Sequence, residues 1–269
     1  MRADLHTHTT ASDGALQPQT LIDRALEQGV ELLSITDHDT LDGYRSLSVP
    51  EGLTLIRGIE LSSRWQKSGI HVVGLNVRGE AMDGAIANQK RARADRAAQI
   101  ADRLHRATGV DLLEAARTEA GHSQVGRPHF ARAMVAAGLV GDAADAFRRY
   151  LGRGKVGDIR QHWPGLGRVV GWIRDAGGIA VLAHPARYRM TATRLKKLLT
   201  SFKAVGGEAM EVVSGTQNPQ VTQNLADMCE AFGLLASCGS DFHQPAGPWS
   251  ELGRYAPLPD HCRPVWDAW

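Results

Sequence analysis

Histidines and carboxylates recur along this chain at points where predicted strands begin or end. His6 and His8 form an HxH pair directly after the first strand, and Asp13 follows in a Ser-Asp-Gly turn. His71 differs from the others because it precedes its strand, as expected for a strand of opposite direction. The nine candidate side chains are His6, His8, Asp13, His38, Glu60, His71, His184, Asp241 and His243.

These residue types in this number indicate a metal site. A single histidine or aspartate at a strand end usually caps the chain or faces solvent, so the set as a whole carries the prediction. Imidazole and carboxylate ligands together suit zinc, manganese or iron. Nine ligands exceed the needs of one four-coordinate ion, which implies two or three ions with a bridging carboxylate. Closely spaced ions acidify a bound water and hold the attacking and leaving oxygens of a phosphoryl group.

Alternating strands and helices must position these side chains. Amphipathic helices separate the apolar runs, and one of them begins near Pro18 and ends at Gly29. This order predicts parallel βαβ units, and a barrel related to the (β/α)8 type is favoured over an open doubly wound sheet. Strands are predicted at 32–36, 53–59, 72–75, 179–183, 210–213 and 234–238, after a first strand that ends near His6.

The middle of the chain has helical character and no clear strand. We expect a barrel at 1–84 and 158–269, interrupted by a helical insertion at 85–157 that covers the active site. Five insertion residues are candidates to bind substrate phosphate. Arg93 and Arg96 share one face of the first helix, and the other three lie beside glycine or proline. Those three are Arg127, His129 and Lys155.

Composition narrows the class of protein. The chain has 269 residues and a net charge of +2, from 31 basic and 29 acidic residues, which argues against a generic binder of long duplex nucleic acid. The chain has three scattered cysteines and no CxxC pair, which favours a reduced, cytoplasmic setting. Neither a signal peptide nor a membrane-spanning segment is expected.

Six short motifs resemble those of the PHP (polymerase and histidinol phosphatase) family, in the same order. The resemblance implies a distorted (β/α)7 barrel with three metal ions, manganese being favoured and iron or zinc possible as substitutes. It also implies that a metal-bridging hydroxide, held by Glu60, Asp241 and His184, is the nucleophile. The motifs are DLHTH at 4–8, SDG at 12–14, TDHD at 36–39, GIE at 58–60, AHP at 183–185 and GSDFH at 239–243.

The same resemblance divides the nine ligands among three ions. The first ion would be held by His6, His8, Glu60 and Asp241. Glu60 would bridge to a second ion, which His71 and His184 complete. Asp13, His38 and His243 would hold the third ion. Asp37 and Asp39 flank His38 and are expected to orient a ligand histidine, whereas Glu211 is expected to face the barrel interior.

The insertion suggests the substrate. A PHP barrel with the inserted segment GRPHFARAM, at 126–134, is similar to 3′,5′-nucleotide bisphosphate phosphatases and to 5′-to-3′ oligoribonucleases. This likeness implies hydrolysis of the 3′-phosphate of a nucleotide such as pAp, with short 5′-phosphorylated RNA as a further substrate. The alternatives are a histidinol-phosphate-type phosphatase, a non-catalytic metal-stabilised PHP module and an amidohydrolase. The last commonly carries a metal-bridging lysine, which this sequence lacks.

Overall fold

The structure is a computed structural model that describes residues 1–121, 123–159, 163–245 and 251–269. The chain forms two compact units, one made of Met1–Ile86 with Pro164–Trp269 and the other of Ala87–Trp163. No helix among the described residues has the length and apolar character needed to cross a membrane.

The first unit is a nearly closed barrel of seven strands arranged in chain order. Its strands are β1 (Ala3–Thr7), β2 (Leu32–Ile35), β3 (Thr54–Trp65), β4 (Ser68–Leu75), β5 (Ile179–Leu182), β6 (Ala209–Ser214) and β7 (Leu235–Gly239). Its helices are α1 (Pro18–Glu27), α6 (Leu166–Asp175), α7 (Ala192–Ala204) and α8 (Pro219–Ala231). The expected (β/α)7 barrel is therefore confirmed.

Strand β4 distorts the barrel because it runs against both of its neighbours. It pairs antiparallel with β3 and with β5, whereas the other neighbouring strands pair in parallel. The β3–β4 hairpin extends further than the sequence indicated, through Trp65 and back from Ser68. Glu60 thus lies inside β3 rather than at its end, and His71 lies inside β4 rather than before it. Both predicted positions were wrong because each strand continues through polar or small residues, such as the buried Ser62 and Ser63 of β3, which add no hydrophobic signal to the sequence.

The residues that follow the carboxyl end of β2 lie at the barrel mouth and pair with the middle of β3. His38 bridges to Glu60, and the Asp39 N–H donates to the Glu60 carbonyl at 2.9 Å. Glu60 in the middle of β3 is therefore level with the residues that follow β2. The hairpin beyond it projects past the mouth.

Strands β1 and β7 close the ring beside the first two histidines. The His8 N–H donates to the Phe242 carbonyl at 2.9 Å, and the Asp241 N–H donates to the His6 carbonyl at 2.8 Å. Gly239 packs so closely on His6 that a Cβ atom there would overlap the His6 backbone. Only glycine permits this approach, which places two distant segments of sequence side by side.

Helices cover the outside of the barrel with apolar faces. In α1, Leu21, Ile22 and Ala25 are buried, as the spacing predicted. Leu26, expected on the same apolar stripe, is instead 36% exposed. The stripe is narrower than the sequence indicated because a helix turns about 100° per residue, which takes Leu26 off the inner face.

The second unit is helical and has its own apolar core. It contains most of α2 (Asp83–Thr108), then α3 (Leu113–Ala120), α4 (Arg127–Ala136) and the short α5 (Ala143–Ala146). Ile100, Leu104, Phe130 and Met134 are all fully buried in this core. A core of this kind lets the unit keep its shape by its own contacts.

The Tyr44 hydroxyl connects β2 to β3. It accepts N–H bonds from Ile35 at 3.1 Å and from Gly58 at 2.7 Å, and it lies 2.6 Å from the Ile35 carbonyl.

We expect Tyr44→Phe to lower the free energy of unfolding by about 1–3 kcal/mol, because buried backbone groups lose their partner. Chemical denaturation measures this loss. Tyr150→Phe is the control, because among the described residues the hydrogen bond of this half-buried residue's hydroxyl is with the exposed Arg149, and a change below about 0.5 kcal/mol is expected there. Equal losses in the two variants would contradict the prediction.

Candidate metal centre

The carboxylate of Glu60 lies at the centre of the barrel mouth, where five histidines approach it. Its Oε1 atom is 2.8 Å from His71 Nδ1 and 2.9 Å from His184 Nε2. Its Oε2 atom is 2.9 Å from His38 Nδ1, and it also faces His6 Nε2 at 3.3 Å and His8 Nε2 at 3.4 Å. Both oxygens of one side chain are therefore shared between groups of nitrogen donors, the arrangement expected of a bridging ligand.

His6, His8 and Asp241 form a tight group beside Glu60. The two Nε2 atoms are 3.1 Å apart. The Asp241 Oδ1 atom lies 3.5 Å from His6 Nε2 and 3.3 Å from His8 Nε2. Both imidazoles are completely buried, so these potential ligand atoms converge away from bulk solvent.

Asp13 lies at the centre of a third group, on the more exposed side of the metal centre. Its carboxylate oxygens lie 3.8 Å from His8 Nδ1, 3.8 Å from His38 Nε2 and 3.6 Å from His243 Nε2. The His243 Nδ1 atom lies 2.9 Å from the Asp241 carbonyl, which can only accept, so this nitrogen carries the proton. The Nε2 lone pair of His243 therefore faces Asp13.

The structure brings all nine predicted side chains into overlapping groups. Within each group the potential ligand atoms lie within 4.8 Å of one another. The grouping differs in part from the expected one, since His71 joins His38 and Glu60, while His184 joins His6 and Glu60. The groups are His8, Asp13, His38, His243; His6, His8, Asp241; His6, Glu60, His184; and His38, Glu60, His71.

The electrostatics of the centre fit bound cations. Burial raises the pKa of Glu60, but His38, His71 and His6 outweigh it and hold that pKa well below its usual value. Burial likewise opposes ionisation of Asp241, yet His6, His8 and His243 keep its pKa low. Buried ionised carboxylates are costly unless positive charge neutralises them. Divalent cations would supply that charge.

The imidazoles fit the same cations. Burial and the neighbouring His243 lower the pKa of His8 to about 3, so this ring is neutral and one of its nitrogens offers a lone pair. Among the described residues, the buried His8 Nδ1 and His184 Nδ1 atoms have no hydrogen-bond partner. Both rings present their other nitrogen, Nε2, to the Glu60 carboxylate, at 3.4 Å from His8 and 2.9 Å from His184.

Glu211 on β6 orients two of these histidines, a role that the sequence did not reveal. Its Oε1 atom is 2.5 Å from His6 Nδ1, and its Oε2 atom accepts the His184 N–H at 2.5 Å. A carboxylate accepts, so the proton of His6 resides on Nδ1 and the Nε2 lone pair faces Glu60 and Asp241. The one available signal was an acidic residue inside an otherwise apolar strand.

Burial lowers the pKa of His6, but Glu211, Glu60 and Asp241 together raise it well above the usual value. A second proton on His6 therefore competes with a cation for the same carboxylates.

Asp37 and Asp39 anchor the chain around the centre. Asp37 accepts the Thr9 N–H at 2.7 Å and the Ser12 hydroxyl at 2.6 Å, which holds the loop after His8 in place. Asp39 accepts the Ser62 N–H at 2.8 Å and so connects the end of β2 to β3. Through these bonds the two carboxylates position the loops that carry the candidate ligands.

Backbone strain is concentrated at the same place. His184, Asp241 and Asp39 have φ angles of 28°, 52° and 57°, in the left-handed region that favours glycine. Such conformations cost about 1–3 kcal/mol each and persist where the surrounding structure imposes them, often at functional sites.

The turn after His184 contributes two side chains that the sequence analysis missed. The Arg187 guanidinium forms an ion pair with Asp241 Oδ2, and its side chain is 54% exposed. The Tyr188 hydroxyl accepts the His71 N–H at 2.9 Å, and its ring lies 5.5 Å from that of His184. The available signal in the sequence was that Arg187 and Tyr188 follow the candidate ligand His184 by three and four residues.

The candidate phosphate-binding residues lie in the helical unit. The guanidinium groups of Arg93 and Arg96 are 5.4 and 5.2 Å from the centre of the Trp163 ring. Arg96 is 6% exposed and donates to the Ile159 carbonyl at 2.9 Å. These two arginines are thus brought together on one aromatic side chain.

The other three candidates occupy different settings. Arg127 donates to the Leu151 carbonyl at 3.1 Å and lies 3.7 Å from Asp158. His129 is 2% exposed, and its Nδ1 accepts the Gly126 N–H at 2.8 Å, so it caps the start of α4. Lys155 is exposed.

A barrel mouth with six histidines and three carboxylates in overlapping groups defines a class of protein, the metal-dependent hydrolases. A family model described as the PHP domain matches residues 4–80. The chain is 43% identical to the 5′-3′ exoribonuclease Rnm of Escherichia coli, over 99% of this chain and 93% of that protein. It is 37% identical to the 3′,5′-nucleoside bisphosphate phosphatase of Chromobacterium violaceum, over 98% of this chain and 94% of that protein.

A solved structure from Chromobacterium violaceum, described as an amidohydrolase with bound sulfate and no metal, superimposes with a TM-score of 0.87. The two sequences are 34% identical, and the superposition covers 100% of this chain and 95% of the other. The chain belongs to the PHP family, and it is a metal-dependent hydrolase of phosphoric esters.

Glu211→Gln tests how the centre is organised. The amide would present a donor where His6 or the His184 N–H needs an acceptor. We expect metal affinity to fall by roughly 10- to 100-fold, as for other residues that orient metal-bound histidines. Metal content after equilibration in buffered manganese measures the change. Glu208→Gln is the matched control, because Glu208 is exposed and directly precedes the same strand. Equal affinity in wild type and Glu211→Gln would contradict the assigned role.

Proposed function

We propose that this protein hydrolyses the 3′-phosphate of 3′,5′-bisphosphorylated nucleotides such as pAp, and that it also degrades short 5′-phosphorylated RNA. The observation that carries the proposal is the Glu60 carboxylate, which five histidines surround at 2.8–3.4 Å. Three manganese ions are proposed, with iron or zinc as substitutes. A reduced, cytoplasmic setting suits the three free cysteines.

The proposed ligands keep the division that the resemblance implies, which the approach of both His71 and His184 to Glu60 Oε1, at 2.8 and 2.9 Å, supports for the second ion. His6, His8, Glu60 and Asp241 would hold the first, and Glu60 with His71 and His184 the second. Asp13, His38 and His243 would hold the third. Cations held by these residues would supply an acidified water and neutralise phosphoryl oxygens.

The residues of the chain prepare this chemistry. Glu211 keeps the His6 proton on Nδ1, and Asp37 holds the loop that leads to Asp13. Arg187 presents an exposed guanidinium beside Asp241, where it can donate to a phosphate oxygen. Hydrolysis forms a bond between a water oxygen and phosphorus and breaks the bond to the 3′ oxygen, which leaves with a proton.

Two phosphates on the substrate require a second anion-binding group. Arg93, Arg96, Arg127, His129 and Lys155 are proposed for this role. The two relatives named above act, by their names, on 3′,5′-bisphosphorylated nucleosides and on RNA from its 5′ end. Both substrate classes carry a phosphate besides the one that is cleaved. A simple monoester such as histidinol phosphate offers no second phosphate for these residues, which favours the nucleotide over this alternative.

Phosphate release from pAp is the direct test. With manganese, we expect pAp to be turned over far faster than 3′-AMP, 5′-AMP or histidinol phosphate, because only pAp presents both a 3′- and a 5′-phosphate. Chelation should abolish turnover and added manganese should restore it. His6→Ala should be inactive. Equal turnover of all four esters would refute the proposed substrate class and leave only a general phosphatase.

Arg127→Ala tests the second phosphate site. We expect the KM for pAp to rise by roughly 10-fold or more, because a charge-assisted hydrogen bond to phosphate contributes about 1.5–3 kcal/mol. The low kcat/KM for 3′-AMP, which lacks the 5′-phosphate, should not change. Arg91→Ala is the control, because Arg91 is an exposed arginine on α2. A similar loss on both esters would assign Arg127 to folding rather than to the second phosphate.

A further inference from the structure

Two segments beside the metal centre contain basic residues and no acidic ones. Residues 185–195 include three arginines without a single aspartate or glutamate, and residues 61–75 include one arginine and one lysine, also without an acidic residue. The whole chain is almost balanced, with 31 basic and 29 acidic residues. Clustered charge of one sign repels itself, so such an arrangement is best explained by an anionic partner.

The structure joins these two segments at the mouth of the barrel. Arg194 donates to the Ser68 hydroxyl at 3.0 Å, and its guanidinium lies 5.9 Å from the centre of the Trp65 ring. Tyr188 bonds to the backbone of His71, four residues after Lys67 in the chain. The turn after β5 therefore lies along the β3–β4 hairpin.

We call this surface the basic arc, made of Lys67, Arg187, Arg189 and Arg194. It begins at the metal centre, because Arg187 pairs with Asp241, and it ends at the hairpin turn, where Lys67 is exposed. About 13 Å of strand separate His71 from Lys67, at about 3.3 Å per residue. A surface of this extent suits a substrate that extends away from the centre.

We infer that the basic arc binds the phosphodiester backbone of single-stranded RNA on the 3′ side of the bond that is cleaved. This inference rests on the proposed function, because it places the rest of an oligonucleotide chain whose end reaches the centre. Exposed arginines and lysines along a groove bind single-stranded nucleic acid through its phosphates. The mononucleotide pAp has no such chain and gains nothing from the arc beyond Arg187.

The double variant Lys67→Gln/Arg189→Gln tests the inference. Both side chains are exposed, and no described contact joins either of them to the metal centre. We expect kcat/KM for a 5′-phosphorylated tetraribonucleotide to fall by roughly 10-fold at 0.1 M salt, with pAp turnover unchanged. The slope of log kcat/KM against log salt should decrease by about 1.4, which corresponds to two lost phosphate contacts on a single strand.

Arg174→Gln/Arg263→Gln is the matched control, since it removes the same charge at the other end of the barrel. Arg174 lies in the last turn of α6, before β5 begins, and the Arg263 carbonyl bonds to Ala236 near the start of β7. This control should leave kcat/KM for the tetraribonucleotide, the turnover of pAp and the salt slope unchanged. Equal losses in the two double variants would reduce the effect to net charge and overturn the inference.

Binding separates this inference from the proposed function. Anisotropy with a fluorescent, phosphorothioate-linked tetranucleotide reports the affinity of the manganese-loaded protein without turnover. A roughly 10-fold weaker Kd in the arc variant supports the inference even if pAp is not a substrate. An unchanged Kd overturns it, even if pAp is turned over. Loss of binding to phosphatidylserine vesicles with an unchanged Kd for the tetranucleotide would assign the arc to a membrane surface instead.

Discussion

One buried carboxylate organises this protein. Glu60 is almost fully enclosed, yet its neighbours keep its pKa well below the usual value, so its charge must be balanced by what surrounds it. Five imidazoles from β1, β2, β4 and β5 or the turns after them converge on its two oxygens. An uncompensated charge at this depth would be costly, and the fit of the donor set to divalent cations follows from that cost.

The distortion of the barrel serves this constraint. In a regular barrel of parallel strands, ligands come from the carboxyl ends of the strands. Here β3 continues past the mouth and returns as the antiparallel β4, so Glu60 and His71 approach the centre from within a hairpin. Glu211, Asp37 and Asp39 then hold the neighbouring histidines and loops by hydrogen bonds. Strained backbone at His184 and Asp241 marks where this framework imposes its geometry.

The proposed function assigns substrate choice and bond cleavage to different parts of the chain. The proposed ligands all lie in the barrel unit, whereas the proposed second phosphate site lies in the helical unit with its own core. The basic arc belongs to the barrel unit and, apart from Arg187, would act only on substrates longer than one nucleotide. In the proposed function, the 3′,5′-bisphosphorylated nucleotide and the short RNA would share the centre and would differ in the additional surfaces that they use.

The sequence by itself determined the fold class and the set of nine candidate ligands, because strand ends in alternating βα units must meet at one face and the residue types there suit metals. It did not determine that Glu60 lies inside a strand, since β3 continues beyond Leu61 through the polar Ser62 and Ser63, whose burial leaves no hydrophobic signal in the sequence. Nor could it reveal Glu211, Arg187 or Tyr188. Their roles depend on contacts between β1, β4, β6 and the turn after β5, which only tertiary packing brings within hydrogen-bonding distance.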